Sequence, residues 1–149
     1  MKLADSIRPI LQHKSREVWS LPPDASVYQA IAMMSDKKIG ALLVMSEGRL
    51  VGIVSERDYA RKVILQGHSS KHTKIREIMS SPVIQVSPDQ SMDDCMRIMT
   101  SHRIRHLPVV EGEKVVGVVS IGDLVNWIIT EQHETIQHLN SYIAGSYPR

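Results

Sequence analysis

The chain contains an internal duplication, and this feature constrains its fold more than any other. Residues 23–64 align with residues 88–129 at a constant offset of 65 positions, without a gap. Of the 42 aligned pairs, 13 are identical, and 10 of the other 29 exchange one apolar residue for another. Self-similarity of this kind is typical of repeated structural units. Because there are only two copies, the sequence predicts two small units packed with pseudo-twofold symmetry rather than a solenoid.

Each copy predicts the order β-α-β-β-α, and therefore an α/β fold. A short apolar stretch precedes a helix whose apolar residues recur at helical spacing, and two apolar runs around a glycine-containing turn then predict a hairpin. Ser26 with Gln29 predicts a capping box at the start of the helix in the first copy. Ser91 with Asp94 predicts the same at the start of its counterpart. A second helix is expected to follow each hairpin.

The same elements predict how the chain divides. The first repeat is expected at residues 10–67 and the second at residues 75–133, followed by a C-terminal helical tail at 134–149. The connector 66–74 is polar and rich in Gly and Ser, so it is interpreted as a linker. With 149 residues, the chain is long enough to bury a core without disulfide bonds.

Composition and charge exclude several classes of protein. The net charge of +2 is small, the basic residues are scattered, and aromatic residues make up 4% of the chain, which argues against a nucleic-acid-binding surface. No apolar run approaches the roughly 18 residues of a membrane span, and the first residues show no apolar signal-peptide region. The single cysteine, Cys95, cannot form an internal disulfide, which fits a reducing compartment. The sequence predicts a cytoplasmic protein that binds neither nucleic acid nor membranes.

A four-residue pattern, Ser-x-x-Asp, stands where the last strand of each repeat ends and its last helix begins. Ser55 and Asp58 form it in the first repeat, and Ser120 and Asp123 form it in the second. One interpretation is a further capping box. Another is ligand binding, because a carboxylate at a helix start can accept both hydroxyls of a ribose, while the serine hydroxyl and the helix N–H groups bind ribose or phosphate oxygens. The two interpretations are compatible.

Together these features resemble a tandem pair of cystathionine-β-synthase (CBS) domains, also called a Bateman module. The resemblance rests on VGIVSERD and VGVVSIGD, on the PDAS and PDQS helix starts and on RHLPVV before the second hairpin, and it covers nearly the whole chain. It implies a stand-alone, non-catalytic regulatory sensor that binds an adenosyl ligand between the repeats and signals to an unidentified effector protein. AMP is the first candidate ligand, and ADP, ATP, NAD and S-adenosylmethionine are the others. The resemblance also implies a homodimer.

The resemblance further implies which residues line the two clefts beside the serine and acid of each turn. The cleft at Asp123 would add Trp19, Ile39, Gly40 and Ala41. The cleft at Asp58 would add Ile84, Ile104, Arg105 and His106. The basic residues that would bind phosphates are Arg57, Arg103, Arg105 and His106. Because the second copy has Gly122 where the first has Arg57, the two sites are expected to differ in the phosphates they accept.

Two other hypotheses remain open beside the sensor. A structural or interaction module would keep its clefts empty, and its acids would act only as helix caps. An enzyme acting on nucleotides would need a base or nucleophile beside the turns, and the sequence shows none. His102 and His106 are four residues apart but flank a helix end, so no metal site is predicted. Cys95 aligns with Ala30 in an apolar stripe and is predicted to be a core thiol.

Overall fold

The computed structural model describes residues 5–14 and 17–143. Its helices are α1 (Arg8–His13), α2 (Val27–Lys37), α3 (Glu56–Tyr59), α4 (Met92–His102) and α5 (Ile121–Ile143). Its strands are β1 (Ser20–Leu21), β2 (Ala41–Ser46), β3 (Arg49–Ser55), β4 (His106–Glu111) and β5 (Lys114–Ser120). A π-helical turn, Ala60–Ile64, continues α3, and a 3-10 turn covers Ile75–Glu77. No helix in the described part of the chain is both long and apolar enough to cross a lipid bilayer.

The chain forms two compact units. One consists of residues 17–85 together with residues 110–117. The other consists of the described parts of 1–16, 86–109 and 118–149. Helix α1 therefore belongs to the same unit as most of the second repeat. Helix α5 includes the extension that the sequence predicts for the tail as far as Ile143, whereas 144–149 lie outside the described residues.

The strands confirm the predicted α/β order, although the first strand of each repeat is shorter than expected. In the first repeat β1 runs parallel to β2, with Ser20 opposite Leu43, and β2 runs antiparallel to β3. The turn between β2 and β3 contains Gly48 at a φ of 76°, a left-handed conformation that favours glycine. In the second repeat β4 pairs with β5. There, the expected first strand is reduced to a single parallel bridge between Val86 and Val109.

Helices α2 and α4 bury the apolar faces that their spacing predicts. The buried residues are Val27, Ala30 and Met34 in α2, and Met92, Cys95 and Met99 in α4. Burial raises the pKa of the Cys95 thiol to about 11, and the nearby Asp94 carboxylate adds to this effect. The thiol is therefore protonated at neutral pH and lies in the core, as the sequence predicts.

Of the two capping boxes predicted at these helices, one is present in the structure and the other is not. At α2 the Gln29 N–H donates to Ser26 Oγ at 3.1 Å and the Ser26 N–H donates to Gln29 Oε1 at 2.9 Å, so the box is complete. At α4 the Asp94 N–H donates to Ser91 Oγ at 3.0 Å. The Asp94 carboxylate, however, accepts a hydrogen bond from Gln90 Nε2 at 3.2 Å. Helix α4 therefore begins with a single serine cap, and the capping box predicted there is wrong.

The connector between the repeats does more than link them. The Val27 N–H donates to the Thr73 carbonyl at 2.8 Å, and the Tyr28 N–H donates to the Ser70 carbonyl at 3.0 Å. Thr73 is the buried polar residue of this connector. Since the first N–H groups of a helix have no partners inside the helix, these bonds cap α2 from outside. The interpretation of this segment as a linker alone is incomplete.

Two glycine-to-alanine substitutions are expected to change stability in opposite directions. A Cβ atom at Gly52 in β3 would lie 2.5 Å from Met79 Sδ and 3.2 Å from Met79 Cβ, so Gly52→Ala forces Met79 to move and should lower the free energy of unfolding by about 1–3 kcal/mol. At Gly122 in α5 an added Cβ would lie 3.6 Å from Ser120 Oγ, an ordinary van der Waals distance. Gly122→Ala should therefore raise the free energy of unfolding by up to about 1 kcal/mol. Urea unfolding of both variants measures the difference. A stabilising Gly52→Ala would contradict this packing.

Candidate functional site

The two Ser-x-x-Asp turns have the same hydrogen bonds. In the first, the Ser55 N–H donates to Asp58 Oδ2 at 2.9 Å and the Asp58 N–H donates to Ser55 Oγ at 3.2 Å. In the second, the Ser120 N–H donates to Asp123 Oδ2 at 2.8 Å and the Asp123 N–H donates to Ser120 Oγ at 3.1 Å. Both turns are complete capping boxes, so the capping interpretation is confirmed. The capping bonds orient each carboxylate at the point where a strand passes into a helix.

A lysine also holds the carboxylate of the first turn. Lys62, four residues further along the chain, places its Nζ 3.1 Å from Asp58 Oδ1. The same ammonium donates to the Ile78 carbonyl at 2.8 Å. Both carboxylate oxygens of Asp58 are therefore engaged, Oδ1 by the lysine and Oδ2 by Ser55.

The carboxylate of the second turn has a lysine as well, but this lysine comes from a distant part of the chain. Lys14 Nζ lies 2.6 Å from Asp123 Oδ2 and donates to the Val118 carbonyl at 2.8 Å. Sequence reasoning missed Lys14 because it lies outside the segments 23–64 and 88–129, in which the two copies align. One sequence feature could have pointed to it. The second copy has Trp127 at the position of Lys62, so Asp123 has no lysine one helical turn away and needs a cation from elsewhere in the chain.

Residues 39–41, expected in a cleft, lie beside the turn of their own repeat. The Glu56 N–H donates to the Gly40 carbonyl at 3.1 Å, and Ala41 pairs with Ser55 across the sheet. Ile39 packs against the buried core of the first repeat and, with Gly40, lines a groove of about 470 Å³. The expected association of these residues with Asp123 remains a prediction.

Residues 104–106 lie beside the turn of the second repeat in the same way. The Ile121 N–H donates to the Arg105 carbonyl at 2.9 Å. Burial lowers the pKa of His106, and the nearby Lys14 ammonium lowers it further, against the opposing effect of Asp123. His106 is therefore neutral at pH 7 and offers a phosphate one N–H donor rather than a second positive charge. Its expected place in the Asp58 cleft, with Ile104 and Arg105, remains a prediction.

The other expected site residues occupy varied surroundings. Trp19 is half-buried against the first repeat's core, with Lys37 Nζ 4.2 Å from its ring centroid, a cation–π contact. Arg103 ends α4 in the left-handed conformation, with a φ of 53°. Ile84 and Arg57 are half-buried, and Arg105 is exposed. Among the residues that the structure describes, His, Cys, Asp and Glu form no group of three that could hold a metal ion.

The lowered pKa of His106 predicts a pH dependence of stability. The unfolded chain has a histidine pKa of about 6.5, so between this value and the lower folded pKa the unfolded state binds more protons. The free energy of unfolding therefore rises with pH across this window. We expect the difference between wild type and His106→Gln to vary with pH below about 6.5 and to be constant above it. Urea unfolding across the acid range measures this difference, and a difference that stays constant with pH would contradict the lowered pKa of the half-buried His106.

The fold and the site define a class: an α/β protein of tandem repeats, each with a capped acidic turn between its last strand and its last helix. The chain matches the model of the CBS domain at residues 10–64 and again at residues 75–130. It therefore belongs to the CBS domain family, and the resemblance in the sequence is confirmed.

Relatives with the same domain are found in plants and bacteria. The chain is 44% identical over 129 residues to the "CBS domain-containing protein CBSX3, mitochondrial" of Arabidopsis thaliana, over 83% of this chain and 63% of that protein. The chain thus spans less than two thirds of this relative. A solved structure of a CBS-domain protein from Burkholderia ambifaria is 49% identical, with a TM-score of 0.82, and the match covers 85% of this chain and 96% of that one.

Two other solved structures bear on ligand and assembly. The CBS domain pair of protein MJ0100, solved in complex with 5-methylthioadenosine and S-adenosyl-L-methionine, is 27% identical with a TM-score of 0.75, and the match covers 85% of this chain and 97% of that one. A hexameric CBS-CP12 protein from bloom-forming cyanobacteria is 30% identical with a TM-score of 0.73, over 80% of this chain and 69% of that one.

Proposed function

We propose that the protein is a non-catalytic regulatory sensor that binds adenosyl ligands through Asp58 and Asp123. The observation that carries this proposal is the pair of carboxylates, each oriented at a strand-to-helix turn by a serine and a lysine. A carboxylate at such a position is suited to accept the hydroxyls of a ribose. The two adenosyl compounds in the MJ0100 structure support the ligand class.

AMP is the first candidate ligand, with ATP, NAD and S-adenosylmethionine next. Arg103 and Arg105 lie in the short segment between α4 and β4, and guanidinium groups bind phosphates by charge-assisted hydrogen bonds. Arg57 lies inside the turn of the first repeat, where the second repeat has Gly122. The two sites therefore present different positive charges, and we propose that they prefer ligands with different numbers of phosphates.

Ligand binding would act by favouring one arrangement of the protein and its partners, to the extent that the ligand binds that arrangement more tightly. We propose a homodimer, with an unidentified effector protein as the receiver of the signal. Exposed apolar side chains suited to self-association lie in each unit, Ile64 and Leu65 after α3 and Val125 and Ile129 on α5. The predicted cytoplasmic location remains a prediction, and the Arabidopsis relative is named as mitochondrial.

Thermal unfolding tests the proposal directly. The full chain, stripped of bound nucleotide, is unfolded alone and with saturating AMP, ATP, NAD or S-adenosylmethionine. A ligand at about 100 times its dissociation constant stabilises by about 2.7 kcal/mol, and a chain of this size should respond with a rise in Tm of about 5–10 °C. The absence of a shift with all four compounds would contradict the sensor.

One observation favours the second candidate, a structural or interaction module. Both carboxylates already have complete capping bonds and a lysine partner without any ligand. Among the described residues, no buried side-chain nitrogen or oxygen lacks a hydrogen-bond partner. A module whose acids serve only as caps predicts no stabilisation by any nucleotide.

A further inference from the structure

The N-terminal segment supplies the positive charge of the second acidic turn. In the first repeat Lys62 sits on the same helical segment as its acid, four residues away. In the second repeat the corresponding lysine, Lys14, is 109 residues from Asp123 in the sequence. Each acid therefore has a lysine partner, although only Lys62 lies within the aligned segments of the duplication.

Lys14 is held in place by an anchored segment. Ile7 and Ile10 are buried, and the Ile7 N–H donates to the Gln90 carbonyl at 3.0 Å. At the other end of α1 the His13 ring lies 5.0 Å from the ring of Trp127, centroid to centroid. Trp127, which aligns with Lys62, therefore packs against the segment that carries Lys14.

Lys14 and Asp123 line one pocket within a single unit. The pocket has a volume of about 570 Å³, within the range of small-ligand sites, and Trp127 and Thr130 also line it. Glu131, one turn beyond Trp127, is the other acid on its wall. A carboxylate that accepts hydroxyls and an ammonium that donates to an anion therefore face the same space.

The hydrogen bonds of Asp123 indicate that Lys14 can stay in place when a ligand binds. Its Oδ2 accepts from both the Ser120 N–H and Lys14, whereas no described residue donates to its Oδ1. At Asp58, by contrast, Lys62 occupies Oδ1 and Ser55 occupies Oδ2. A ligand hydroxyl can therefore bind Asp123 Oδ1 beside the lysine instead of displacing it.

We infer that Lys14 is a specificity-determining residue of the Asp123 site, which makes this site select an adenosyl ligand with an anionic group beside the ribose over the uncharged nucleoside. This inference rests on the proposed function and names the ligand class of one of its two sites. The predicted site thus includes a residue from outside the two aligned segments, 23–64 and 88–129.

Isothermal titration of the full chain with AMP and with adenosine tests the inference. The titrations use the Asp58→Asn background, so that binding reports on Asp123. Lys14→Met keeps an unbranched side chain as long as the apolar stem of lysine and removes the charged group at its end. It should lower the affinity for AMP by at least about tenfold and leave that for adenosine within about twofold, because charge-assisted hydrogen bonds are among the strong ones. Lys14→Arg should retain the preference for AMP, and Lys71→Met, the same change at an exposed lysine of the connector, should leave it unchanged.

Each other outcome overturns the inference in a distinguishable way. If Lys14→Met loses affinity equally for AMP and adenosine, Lys14 only positions Asp123. If Lys14→Met binds adenosine more tightly than the chain that keeps Lys14 does, Lys14 competes with the ribose. Loss of all binding in the Asp58→Asn background would mean that only the first site binds, so the proposed function would stand without this inference. If the unsubstituted protein binds neither AMP nor adenosine and Tm is unchanged by ATP, NAD and S-adenosylmethionine, the proposed function fails together with the inference.

Discussion

Replacing Asp58 or Asp123 with asparagine is expected to lower the affinity for an adenosyl ligand at the substituted site by about tenfold to a hundredfold. The reason is that a hydrogen bond to a charged acceptor contributes about 1.5–3 kcal/mol, more than one to a neutral amide. Isothermal titration with the compound that gives the largest rise in Tm measures the loss. Asp58→Asn should weaken binding at the Asp58 site only, and Asp123→Asn should weaken binding at the Asp123 site only.

The same substitution separates the binding role of each acid from its capping role. Asparagine keeps the shape of aspartate and one acceptor oxygen for the N–H of Ser55 or Ser120. The free energy of unfolding should therefore fall by no more than about 1 kcal/mol. Asp94→Asn is the matched control, because Asp94 stands in the same Ser-x-x-Asp pattern with Ser91 at the start of α4. If all three variants have the same affinity for the ligand, Asp58 and Asp123 act only as helix caps. The hypothesis of a structural module then replaces that of a sensor.

The largest change in stability is expected for Leu42→Ala in β2. Leu42 is 1% exposed and belongs to the buried cluster of the first repeat, which includes Val27 and Met34. Truncating it removes apolar contacts and leaves a cavity that a close-packed core fills only in part, at a cost of about 2–5 kcal/mol. Urea unfolding at a fixed protein concentration measures the loss, with the slope of the transition as a check that the unfolded state is unchanged.

A second leucine in the same unit provides the control for this substitution. Leu65 follows the π-helical turn and is 75% exposed, so Leu65→Ala makes the same chemical change in solvent. Its effect should lie within about 0.5 kcal/mol, as is usual for exposed positions. A loss of less than about 1 kcal/mol for Leu42→Ala would contradict the burial of this residue.

Much of the fold could be predicted because its signals are local. The spacing of Val27, Ala30 and Met34 identifies the buried face of α2, since residues three and four apart share one side of a helix. Gly48 marks the hairpin because its left-handed backbone is costly for other residues. The reduced first strand of the second repeat could not be predicted, since pairing depends on how a segment lies against β4 and not on its own apolar residues.

The candidate site could likewise be predicted only where its signals are local. The Ser-x-x-Asp pattern identified both carboxylates, because a capping box joins residues three apart and is visible in any sequence. The neutral state of His106 was not visible, since burial and the approach of Lys14 lower its pKa and neither effect is local. The role of 66–74 as a cap for α2 was hidden for the same reason.

The sequence by itself determined the duplication, the order of the elements and the place of the two acids, because each of these depends on residues that are neighbours along the chain. Only the tertiary structure decided which cation each acid receives. Lys62 reaches Asp58 within one helical turn, but Lys14 reaches Asp123 because α1 packs in the unit of the second repeat. The two residues are 109 positions apart, so no periodic pattern in the sequence indicates that they pair. Only packing brings Lys14 Nζ within 2.6 Å of Asp123 Oδ2.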